Sequence, residues 1–148
     1  MSLTNVFNIA GTGMNAQSVR LNTTASNIAN AETVSSSVEE TYKARKPWFS
    51  VLQKQWNDVD GLNRNLDVRS TIGDGVEVKG IVESDAPLKK RFEPTHPMAD
   101  EEGYVLYPNV NIVEEMTDMM SSSRSYQMNV EVMKTAKQML QRTLTLGQ

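Results

Sequence analysis

The chain has 148 residues, enough for one domain, with 39% hydrophobic and only 6% aromatic residues and a formal net charge of −3. The acidic balance argues against a nucleic-acid binder, the lack of Cys excludes disulfides and thiolate metal centres, and the single His, His96, excludes a multi-His site. No stretch approaches the roughly eighteen consecutive apolar residues of a membrane span, and the opening MSLTNVFNIAGTGMNAQ has neither a basic region nor a continuous apolar one, so neither membrane insertion nor a cleaved signal peptide is expected.

Residues 1–33 read as a helix and its terminal turn. Phe7, Met14, Leu21 and Ile28 fall at steps of seven, and Leu3, Ala10, Gln17 and Thr24 precede them by four. Two rows so spaced lie side by side on one helix face. Gly11 and Gly13 each cost about 1 kcal/mol against Ala. The stripe keeps its phase across them, however, which predicts one helix rather than two. So poor a helix former orders only when packed. Leu3, Phe7, Ala10, Met14, Leu21 and Ile28 are its expected interface. The closing run TTASNIANAET is too small-sided for an ordinary core and too poor in charge and Pro for a linker.

Residues 34–41, VSSSVEET, read as a mobile polar loop. Residues 42–109 form a β-rich unit. TYKARKPWFSVL carries Pro47, which suits an edge strand because Pro cannot donate to a ladder. NDVDG is a turn, and GVEVKGIVES is the clearest strand, with a bulge expected at Gly80. PLKKRFEP and GYVLYP are two further short strands.

Residues 110–148 read as a second, longer helix. Asn111 followed three later by Glu114 resembles a capping box. No Pro or Gly then occurs before Gly147, so the helix runs about 35 residues, or about 50 Å. Ile112, Met119, Tyr126, Met133 and Leu140 lie at steps of seven, and Met116, Ser123, Val130, Lys137 and Leu144 form the partner row. The expected fold is therefore α+β: two long heptad helices pairing as a coiled-coil-like hairpin, with a small β-rich unit inserted between them. The β unit cannot cover both stripes, so the remainder must meet other chains. Ile112, Met116, Met119, Tyr126, Val130, Met133, Leu140 and Leu144 are the expected interface of the second helix. Six of the nine Met fall between Met116 and Met139, which suits either core packing or an adaptable binding face.

Chemistry is scarce. His96 stands near Glu93, Asp100, Glu101 and Glu102, but Pro94 and Pro97 forbid helical ligand spacing there, and a structural turn is the plainer reading. Glu114 and Glu115 suit the positive end of a helix dipole. LKKRF is a short basic cluster that suits a solvated strand or salt links between subunits. No phosphate-binding or nucleophile motif is present, so neither enzyme activity nor a cofactor is expected.

A heptad N-helix, SNIANAET, a β insert and a heptad C-helix together resemble the axial proteins of the bacterial flagellum, the rod and hook group. Ser26, Asn27, Ala29, Asn30 and Thr33 match the rod-protein signature, and the resemblance is most specific over residues 95–116 and 123–148, with TYKARKP (41–47) in support. It is poor over residues 50–90. The resemblance implies a structural subunit of the proximal rod that assembles with copies of itself and with other rod proteins. Its terminal helices would form an inner tube around a channel, with the β unit outside. It also implies passage through the flagellar type III export apparatus without a cleaved leader, contact with the membrane ring at the rod base, and residence in the periplasmic part of the basal body. In that setting Thr23–Thr33 would be where the inner helix ends, with Asn27 or Asn30 taking the left-handed conformation that stops it. Another rod or hook component is the alternative within this class, and a coiled-coil adaptor with a β-domain the alternative outside it.

Overall fold

A computed structural model describes residues 3–52 and 75–146. The element order is α1 (Leu3–Ala29), β1 (Arg45–Leu52), β2 (Gly75–Glu83), β3 (Lys89–Phe92), β4 (Tyr104–Tyr107) and α2 (Ile112–Leu146). The expected NDVDG turn and the stop at Gly147 lie outside the described residues.

The first helix runs unbroken through Gly11 and Gly13. Its hydroxyl residues bond their own backbone: Thr23 Oγ1 donates to Val19 O at 2.9 Å, and Thr24 Oγ1 to Arg20 O at 3.0 Å. Thr23 and Thr24 can therefore be buried without orphaned hydroxyls. The second helix starts at Asn111, whose Oδ1 accepts from Val113 N at 3.3 Å. The N-cap is thus made, but Glu114 makes no return bond among the described residues, so the capping box is only half formed. The two helices pack against each other antiparallel, Gly13 meeting Asn129 and Arg20 meeting Asp118.

Among the described residues the β-rich segment forms two separate two-stranded antiparallel ribbons rather than one sheet. In the first, β1 pairs with β2 from Arg45↔Glu83 to Leu52↔Gly75, and Pro47 is tolerated because β1 has a strand partner on one side only among the described residues. The register slips where Trp48 faces Gly80 and Phe49 faces Val78, so the bulge falls at Lys79, beside the expected Gly80. This ribbon lies along α1. Gly75, at φ 147°, sits against the Thr12 side chain, whose Oγ1 accepts from Val76 N at 3.3 Å. Only a residue without a Cβ fits there. In the second ribbon, β3 pairs with β4 from Lys89↔Tyr107 to Phe92↔Tyr104.

Residues 34–41 are tied down rather than free. Ser35 and Leu106 exchange backbone bonds at 3.2 and 3.3 Å, adding a short third rung beside β4. Thr41 is buried and donates through Oγ1 to Ser37 O at 2.6 Å. Side chains and backbone of the Ser/Thr run satisfy one another, which the polar composition alone did not reveal. Ala31, Ala44 and Val110, with Tyr42 against them, form a small core where α1 ends, β1 begins and α2 begins.

Candidate assembly interface

The run SNIANAET uses its amides to join the first helix to the first strand. Asn27 has no exposed surface. Its Nδ2 donates to Arg45 O at 2.8 Å, and its Oδ1 accepts from Arg45 N and from Tyr42 Oη, both at 2.9 Å. Donor and acceptor are both needed, so only an amide side chain of this length serves. Asn27 lies inside the last turn of α1 and does not end it. Asn30 follows the last residue of α1 and doubles its final bond, donating to Ser26 O from its backbone N at 3.1 Å and from Nδ2 at 2.8 Å. Ser26 Oγ lies 3.3 Å from Tyr42 Oη, and Thr33 Oγ1 donates to Asn30 O at 2.8 Å. Ala29 is exposed. Arg45 continues the chain of contacts, with its guanidinium 5.4 Å over the Tyr42 ring and 3.1 Å from Glu83.

Asn109 does for the second helix what Asn27 does for the first, and sequence reasoning missed it. Its Oδ1 accepts from Ala44 N at 2.7 Å, and its Nδ2 donates to Ser84 O at 3.2 Å and Ala86 O at 2.9 Å. The one available sequence signal was the Pro108-Asn109 pair just ahead of the helix cap at Asn111.

Small and polar residues line the seam between the helices. On α1, Ala10, Ala16, Thr23 and Asn27 are buried; on α2, Glu115, Ser122 and Ala136 are buried at steps of seven. Half-buried Asn129 completes that row opposite Gly13, where a Cβ would come within 2.9 Å of Asn129 Nδ2. Arg20 and Asp118 bridge the helices at 2.9 Å. Being one-third exposed, this pair sets register more than stability.

The expected interface residues flank this seam rather than form its centre. Ala10 is buried; Phe7, Met14, Leu21 and Ile28 on α1 are half-buried, as are Met119, Val130, Met133 and Leu140 on α2. The backbone of Leu3 begins α1. Ile112 and Tyr126 are each 38% exposed, Met116 53% and Leu144 66%. The physical reason for the offset is that Ala, Gly and Ser allow the helix axes to come closer than Met or Tyr could, so the bulky rows are displaced to the sides. A second apolar strip lies on the opposite flank of α2. There Met128, Val132 and Met139 join Val6 and Ala136 in an open groove of about 520 Å³. By contrast, the largest fully buried side chains among the described residues are only Val105, Asn27, Pro108 and Ser122.

Catalytic geometry is not assembled around His96. Its Nδ1 accepts from Met98 N at 3.1 Å, which makes it part of the turn. Among the described residues no group of His, Asp and Glu converges as a metal site, and no helix is long and apolar enough to cross a membrane.

Two family models match the chain: "Flagella basal body rod protein" over residues 7–34, and "Flagellar basal body rod FlgEFG protein C-terminal" over residues 101–146. The first covers most of α1 and the turn after it, the second β4 and α2. Among individual relatives, the flagellar basal-body rod protein FlgC of Escherichia coli O6:H1 is 46% identical over the whole of both chains. The FlgC proteins of Salmonella typhimurium and Borreliella burgdorferi are 44% and 36% identical, the first over both whole chains, the second over all of this chain and 99% of its own.

Proposed function

From the premise that the chain belongs to the FlgC family of flagellar basal-body rod proteins and is a structural subunit of the proximal rod, we propose that α1 and α2 form the inner wall of the rod and the two ribbons its outer part. The chain is not an enzyme, and it assembles with other rod components. In this reading residues 1–33 and 110–148 are the axial domain, 42–109 the outer domain and 34–41 their link. The inner wall is built from the apolar rows left open in the single chain: Phe7, Met14, Leu21 and Ile28 with Ile112, Met116, Tyr126 and Leu144 on one flank, and Met128, Val132 and Met139 on the other.

The observation that carries this is the inversion of burial. Small residues fill the seam, while large apolar side chains on both flanks of α2 stay exposed. Exposed apolar strips on two sides of one helix fit a subunit with a neighbour on each side. Transmission of motor torque follows: many such contacts around a tube resist twisting where one bond could not. Export through the flagellar type III apparatus, contact with the membrane ring at the rod base and residence in the periplasm belong to the same proposal. The weak intrinsic helicity of α1 suits passage as an unfolded chain.

The test is substitution on the exposed flanks. Met116→Glu and Val132→Glu alter side chains already open in the single chain, so purified protein should keep its circular dichroism. Both should still be secreted but be absent from isolated basal bodies, leaving cells non-motile. Gln138→Glu, on the outward polar face, should assemble and swim. Normal incorporation of both flank variants would refute the inner-wall assignment.

A further inference from the structure

The β3–β4 ribbon carries opposite charges at its two ends. At its base, Lys89, Lys90 and Arg91 line an open groove of about 400 Å³ together with Tyr107, Ile112 and one acidic residue, Glu32. At its tip, Asp100, Glu101 and Glu102 are exposed. The tip is a defined turn. Gly103 N donates to Asp100 O at 2.8 Å with Gly103 at φ 80°, and Glu101 N donates to Asp100 Oδ1 at 2.8 Å. The two patches do not neutralise each other within one chain. Lys89 Nζ donates to a neutral backbone carbonyl, Val110 O, at 2.6 Å. Arg91 pairs with Glu93 at 2.9 Å. Among the described residues, Lys90, Glu101 and Glu102 have no ion-pair partner.

We propose that the β3–β4 ribbon joins neighbouring copies of this chain head to tail, with the acidic tip at Asp100–Glu102 of one copy seated in the basic groove beside Lys89–Arg91 of the next. This rests on the reading of the chain as a rod subunit and names a contact that reading leaves open. Charge complementarity identifies the occupant. The groove needs an acidic, protruding partner, and the chain itself presents one. Nucleic acid or an anionic membrane would meet three carboxylates on the same ribbon and a chain of net charge −3. Because tip and groove are different surfaces, the contact is heterologous, and repeating it generates a ring or a helix rather than a closed dimer. Its charges select the register of neighbours, while the apolar helices supply the adhesion.

The chain has no Cys, so introduced thiols report without background. The experiment uses full-length Lys90→Cys/Glu101→Cys protein assembled in cells, treated in isolated basal bodies with a short bis-maleimide linker. A ladder of dimers and higher multiples is expected, and neither single variant should give one. Independently, Lys90→Glu and Glu101→Lys should each reduce swim-ring expansion several-fold, and the double reversal should restore it. A mere folding defect would not be rescued in that way. Basal bodies that contain the double-Cys chain but give no self-adduct would overturn the contact. So would an adduct only with a different basal-body protein, or a double reversal no better than the single ones. If the chain were missing from basal bodies altogether, the rod reading would fall and this contact with it.

Discussion

Asn27 grips the backbone of Arg45 on both sides, donating to its carbonyl at 2.8 Å and accepting from its amide at 2.9 Å. In effect the last turn of α1 supplies one rung of ladder to the first residue of β1. The same Oδ1 holds Tyr42 Oη at 2.9 Å. The helix end and the strand start are thereby fixed to each other without any large apolar side chain.

Removing that amide should therefore cost more than its size suggests. Asn27→Ala leaves Arg45 N and Arg45 O without partners and leaves the Tyr42 hydroxyl only its longer contact to Ser26 Oγ at 3.3 Å, a loss of about 2–4 kcal/mol at ~1–3 kcal/mol per orphaned group, allowing for partial rehydration. Asn30→Ala removes one bond at a half-exposed helix end and should cost about 0.5–1.5 kcal/mol. Urea unfolding of the purified chain measures both. Equal losses at the two positions would show that Asn27 is not the pin described.

The two helix glycines should respond differently to the same change. At Gly11 a Cβ meets nothing within 4 Å, so Gly11→Ala should stabilise the purified chain by about 1 kcal/mol through helix propensity. At Gly13 a Cβ lies 2.9 Å from Asn129 Nδ2, so Gly13→Ala should gain less, because Asn129 must turn aside. Gly13→Leu cannot be accommodated at all and should separate the helices, seen as lost helical signal and lost motility. A stable, motile Gly13→Leu strain would mean that the axes do not approach closely there.

Tolerance to insertion in residues 34–41 should depend on which residue is interrupted. Ser35 is bonded to Leu106 on one side, and its Oγ accepts from Ser37 N at 3.2 Å on the other. Glu39 and Glu40 are exposed. A Gly-Ser insertion after Glu39 should leave soft-agar swimming largely intact, whereas the same insertion after Ser35 should reduce it sharply. Similar rings from both strains would mean that the Ser35–Leu106 rung is dispensable.

Heptad spacing was enough to determine the two long helices, including the passage through Gly11 and Gly13, because a helix face repeats at short range and sequence records it directly. The strand of alternating Val76 and Val78 was legible for the same reason, and residues 95–116 and 123–148, more than the 26–33 signature, carried the family. Tertiary structure alone decided which face of each helix meets the other. Apolar rows mark every buried surface alike, and they cannot distinguish a seam inside the chain from one between chains. The inner seam went to Gly13, Ser122 and Ala136, whose smallness permits close approach, and the Met-bearing rows were left at its edges. The roles of Asn27 and Asn109 were equally hidden. Each satisfies backbone groups distant in sequence, Arg45 for the one and Ala44, Ser84 and Ala86 for the other, and no local pattern encodes a hydrogen bond that exists only once the chain has folded.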